Sequence, residues 1–134
     1  MDNNFGIGAY ISSVGTALKP LAPTLFLLDD GIRYVAVNQR GRIVEMTQNP
    51  RRPSHNPHDT DRMEELLVNP AVLELTRRRG ELDLDGIRYV VIRYGPQYQL
   101  LFPYRQGHLS VGLELTVDPV AVAGLISQKL KLRQ

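Results

Sequence analysis

The residue pattern predicts an α+β fold: a five-stranded antiparallel sheet with helices packed on it, in the order helix, strand, strand, helix, strand, strand, strand, helix, plus an N-terminal helical extension. Three observations predict it. Asp30-Gly31-Ile32-Arg33-Tyr34-Val35 recurs as Asp85-Gly86-Ile87-Arg88-Tyr89-Val90, which reads as one structural event met twice: a helix ends, a glycine turns the backbone and a strand enters a sheet. Leu109, Val111, Leu113 and Leu115 alternate with Ser110, Gly112 and Glu114, the period of a strand with one buried and one exposed face. The strands are joined by connections too short for parallel crossovers, so neighbours pair antiparallel.

Taken in order, Ile7, Tyr10, Ile11, Val14 and Leu18 lie at helical spacing in an amphipathic extension over residues 1–19. This stripe is read as core packing, with a partner-binding arm as the alternative. The remaining domain spans 20–134. Pro23 to Asp30 reads as a short helix closed by Gly31. Ile32 to Asn38 and Arg42 to Thr47 form a hairpin about Asn38-Gln39-Arg40-Gly41. Gln48 to Asp59 carries Pro50, Pro53 and Pro57 and reads as a surface loop. Asp61 caps the next helix with Glu64 three residues on, and Met63, Leu66 and Leu67 supply its inward stripe. Asn69-Pro70 kinks or restarts that helix, which ends near Gly80. Strands follow over Ile87 to Tyr94, Tyr98 to Phe102 and Leu109 to Leu115. Asp118-Pro119 then starts a last helix with buried stripe Val122, Leu125, Ile126 and Leu130.

Composition limits function. The chain has 134 residues, 43% hydrophobic and 22% charged, and fits a single core. With no cysteine there is no disulfide, thiolate site or cysteine nucleophile, and a reduced cytoplasmic setting is the simplest expectation. No apolar run approaches the roughly 20 residues that span a bilayer, so membrane insertion is not expected, and the N-terminal residues lack a secretory pattern. Sixteen cationic residues against fourteen anionic ones leave a net charge of +2, too small for an electrostatic nucleic-acid clamp. The arginine runs Arg51-Arg52 and Arg77-Arg78-Arg79 offer a basic contact patch, but no aromatic stacking surface interleaves with them.

No catalytic residue, metal or cofactor is assigned. His55 and His58 with Asp59 and Asp61 have ligand-like chemistry, yet their proline-rich loop fixes no ligand geometry, and a polar loop is the reading. His108 begins the last strand on the polar parity with Ser110 and is placed at the surface. Gly6-Ile7-Gly8 follows no strand and lacks the third glycine of a dinucleotide loop. No phosphate-binding loop occurs, so any GTP chemistry belongs to a partner.

Ile32-Arg33-Tyr34-Val35 together with Phe102-Pro103-Tyr104-Arg105-Gln106-Gly107-His108-Leu109, set in this order of elements, resembles the roadblock/dynein light chain superfamily of profilin-like folds over about Thr24 to Leu132. At closer range it is similar to small uncharacterised archaeal roadblock-like proteins. The N-terminal stretch and the proline-rich loop depart from a compact member. The resemblance implies a non-enzymatic interaction module, an adaptor or regulator of a small GTPase. It also implies a homodimer joined by the Asp61 to Arg78 helix and the Ile87 to Tyr94 strand, through Met63, Leu66, Leu67, Leu73, Ile87, Tyr89 and Val91. Another roadblock-like protein is an equivalent partner. Apolar residues of both parities in the Ile87 strand suit either a partner-completed sheet or a central strand of the monomer. The alternative function is a small-molecule sensor with the 48–59 loop as lid; a nucleic-acid-associated role ranks below both.

Overall fold

A computed structural model describes residues 19–51 and 59–134. The elements are α1 (Ala22–Phe26), β1 (Ile32–Gln39), β2 (Arg42–Gln48), α2 (Asp59–Met63), a π-helical turn (Glu64–Val68), α3 (Asn69–Asp83), β3 (Val90–Arg93), β4 (Tyr98–Tyr104), β5 (Gly107–Leu113) and α4 (Pro119–Leu130). The order is the predicted one, and the strands form one antiparallel sheet arranged β2-β1-β5-β4-β3. The predicted helix over residues 1–19 falls on residues that, up to position 18, lie outside the described ones.

One face of the sheet is apolar. Val35, Val37, Leu100, Phe102, Leu109, Val111 and Leu113 pack beneath Ala22 and Leu25 of α1 and Val122, Ala123 and Ile126 of α4. The α1 entry is held by a carboxylate from β2, because Glu45 accepts from the backbone N–H groups of Leu21 and Ala22, each at 2.8 Å. In α4, Asp118 accepts from the N–H groups of Val120 and Ala121, as the cap pattern predicts. Its buried stripe centres on Val122 and Ile126 with Ala123 and Ser127, while Leu125 lies on the flank and is exposed, contrary to expectation.

The opposite face differs from the sequence reading. β5 sits in the middle of the sheet, so His108 and Ser110 are buried along with Leu109 and Val111, and the alternation in this strand marks two covered faces. The covering element is the long helical stretch from α2 through α3, packed on β1, β4 and β5.

The two identical hexapeptides adopt different roles. In the first, Ile32 and Tyr34 both pair with β5, but a register shift between them sends Tyr34 to the long-helix face. In the second, Tyr89 stays on the α4 face, its ring 5.9 Å from that of Phe102. Gly31 is required by close approach, since a Cβ there would lie 1.9 Å from Val117 Cγ2. Asp85 and Gly86 instead turn through left-handed backbone, with φ of 60° and 80°. The N–H groups of Leu84 and Gly86 both bond to the Gly80 carbonyl, and Arg88 donates to the carbonyls of Asp85 and Gln134. Residues 87–89 are thereby tied to α3 and the C-terminal residue, so β3 begins at Val90, three residues later than predicted. β3 is also an edge strand, which removes the central-strand alternative.

Candidate functional site

The site is built by Pro70. A proline in the first turn of α3 has no N–H to donate and its ring crowds the preceding turn, so the helix widens before it. The Asn69 N–H bonds to the Glu64 carbonyl, closing the π-helical turn. The extra residue rotates the stripe. Glu65 and Asn69 face the sheet, while Met63, Leu66 and Leu67, expected inward, point to solvent with 51%, 37% and 66% exposure.

Glu65 is 1% exposed and is satisfied from three elements. Its carboxylate accepts from the Tyr34 hydroxyl of β1 at 2.9 Å and from Asn69 Nδ2 at 3.1 Å, and it lies 2.8 Å from His108 Nε2 of β5. Its backbone carbonyl accepts from Asn38 Nδ2 at 3.2 Å. The chain of contacts continues through Ser110 Oγ, which is bonded to Gln99 Nε2 and lies 3.5 Å from Asn69 Nδ2. A buried carboxylate is tolerated only with such a set of donors. Burial first, then the charge of Glu65 and its hydrogen bond, drives the Tyr34 phenol far above its ordinary value. His108, expected at the surface, is instead a core member of this network.

A second tie joins the helix to the β3 end of the sheet: the Tyr94 hydroxyl donates to Glu64, 2.9 and 3.1 Å from its two carboxylate oxygens. Partial burial and Glu64 push Tyr94 up to about 12, and burial raises Glu64 in turn. Met63, Leu66 and Leu67 are exposed on the helix, Val91 is exposed on the other face of the sheet, and among the described residues β3 is hydrogen-bonded to β4 alone. Of the other residues predicted for the interface, Leu73 is buried on the inner side of α3 and Ile87 and Tyr89 are half-buried, Tyr89 against the apolar core.

The Arg77–Arg79 run is locally neutralised. Arg77 pairs with Glu74 and Glu81 at 2.7 and 3.0 Å, Arg78 with Glu74, and Arg79 with Asp83 at 2.6 Å. These pairs hold Glu74 below the usual carboxylate range. Arg51 lies 3.9 Å from Asp30, and Arg52 lies outside the described residues. His55 and His58 also lie outside them, as does most of the 48–59 loop on which the sensor reading rests; among the described residues no group of three metal-ligating side chains occurs. No described helix is long and apolar enough to cross a membrane.

The sequence reading missed Glu65, Tyr34, Asn38, Asn69, Gln99 and Ser110. The available signals were the Glu65 to Asn69 spacing of four inside an apolar stretch and the polar parity shared by His108 and Ser110.

No family model and no curated protein matches the chain. Among solved structures it is similar to one described as "MglB with tetrameric arrangement", with a TM-score of 0.60 and 13% identity over 80% of this chain and 76% of that one. This likeness, over a five-stranded antiparallel sheet with helices packed on it, makes this a roadblock-like fold.

Proposed function

We propose that the chain is a non-enzymatic protein-interaction module of the cytoplasm, a homodimeric adaptor or regulator of a small GTPase. The observation that carries this reading is the exposed apolar run Met63, Leu66 and Leu67 on the outer side of the long helix, together with the edge strand β3, to whose end Tyr94 the helix is bonded through Glu64. An apolar helix face and a strand edge unpaired among the described residues can both be covered by second copies, which would bury the apolar side chains and extend the sheet. The tetrameric arrangement in the description of the similar structure supports assembly by this fold.

The test has two stages. Light scattering on the full chain is expected to return the mass of a dimer, and Met63→Glu with Leu67→Glu is expected to return a monomer with an unchanged circular dichroism spectrum. A monomeric parent chain would defeat the dimer reading. Small GTPases of the same genome, loaded with GDP or a non-hydrolysable GTP analogue, would then be tested for binding that depends on the nucleotide; binding to neither form would defeat the GTPase reading.

A further inference from the structure

The β1–β2 and β4–β5 hairpins meet at one end of the sheet, and their tips are joined. The Arg40 N–H donates to the Gln106 carbonyl at 3.0 Å. The Gln39 side chain bridges the same two turns, donating to the Tyr104 carbonyl at 3.0 Å and accepting from the Gln106 N–H at 3.2 Å. Arg40, Arg42 and Arg105 therefore project from one braced platform, and all three are exposed.

Two features are combined at these tips, the first of which Arg62 and Arg93 share. Arg51, Arg77, Arg78, Arg79, Arg88 and Arg133 each face a carboxylate. Among the described residues Arg40, Arg42 and Arg105 have none, and the Arg105 guanidinium lies over the Tyr104 ring, 5.3 Å from its centre. Moreover, Arg40 and Arg105 occupy left-handed backbone, with φ of 54° and 53°. Each is the first residue of a two-residue hairpin loop, where glycine or asparagine is favoured and a long side chain is strained. Strained arginine at the same place in two adjacent turns, without a carboxylate partner among the described residues, serves something outside the fold.

We propose that these joined tips are a docking surface for an acidic segment of a partner protein. Guanidinium forks match carboxylates in pairs, and the brace through Gln39 keeps the three charges together before a partner arrives. A protein segment is favoured over nucleic acid because the patch is compact, its one aromatic ring lies beneath Arg105, and the Arg77–Arg79 run is neutralised by its own helix.

The full-length chain is titrated into a fluorescein-labelled oligoglutamate peptide at low ionic strength and followed by anisotropy. Saturable binding is expected, weakened by about tenfold or more in Arg40→Asn/Arg42→Gln/Arg105→Asn and by less than about twofold in Arg77→Gln/Arg78→Gln. Arg40→Asn and Arg105→Asn are each expected to raise the melting temperature by a few degrees, since they relieve backbone strain. Absence of peptide binding, equal binding by the triple variant, tighter binding of a single-stranded oligonucleotide through the same arginines, or a lowered melting temperature in the asparagine variants would each overturn the proposal.

Discussion

Glu65 shows how one side chain can decide the placement of a whole helix. It satisfies donors from β1 and α3, and its backbone carbonyl takes another. Truncation to alanine leaves the Tyr34 hydroxyl and the Asn69 amide buried without their acceptor and His108 Nε2 without its partner, a loss of about 3–5 kcal/mol expected for removing the centre of a buried polar network. Glu65→Gln keeps one acceptor oxygen and is expected to cost less. Urea unfolding of both variants measures the two losses, and a cost below about 1 kcal/mol for Glu65→Ala would show that the network does not seat the helix. Little of this was legible in the sequence. Periodicity rules send polar residues to solvent, which placed His108 at the surface, and they assume an unbroken helical repeat, which turned Met63, Leu66 and Leu67 inward. A buried polar layer reverses the first assumption and the turn before Pro70 reverses the second.

At the scale of elements the sequence was far more informative, because turns and caps are local chemistry. Asp118-Pro119 started α4 where the cap pattern put it, and Arg40-Gly41 closed the first hairpin. What local chemistry lacked was the identity of neighbours. The verbatim repeat marked the first strand entry at Ile32, but in the second copy the turn bonded to Gly80 and the Arg88 contacts delay the strand to Val90, so one copy opens a full ladder and the other a short edge. β5 likewise read as half-exposed because its two-sided cover comes from α4 and α3, which are distant in the chain. The contact between β5 and β1 is tightest at Gly107, where an added Cβ would lie 1.9 Å from the Asn38 carbonyl oxygen. Backbone cannot yield as a flexible side chain would, so Gly107→Ala is expected to destabilise the protein by about 3 kcal/mol or more. Thermal melting of that variant checks it against Gly41→Ala, whose Cβ meets nothing within 4 Å and whose cost is the left-handed backbone alone; similar losses in both would contradict the steric reading.

Across the whole molecule, the sheet has two chemically distinct sides: an oily one under α1 and α4, and a hydrogen-bonded one under the long helix. Two tyrosines fasten that helix, Tyr34 to Glu65 and Tyr94 to Glu64. Both phenols are raised, Tyr94 to about 12 from 10.0. A raised folded value means these bonds contribute stability in full below the unfolded value of 10.0, and the Tyr94 share disappears as pH climbs through about 12. Tyrosinate absorbance is therefore expected to show a component near 12 that Tyr94→Phe removes, with Tyr34 ionising only after unfolding. All six tyrosines titrating together near 10 in the folded chain would refute this. The hydrogen-bonded seat of the long helix has one more effect. Hydrocarbon contacts let a helix slide by part of a turn at little cost, whereas directional bonds to Tyr34, His108, Asn38 and Ser110 admit one position only. Met63, Leu66 and Leu67 are thus presented preorganised, like the teeth of a cut key, and a partner meeting them has no ordering entropy of this helix left to overcome.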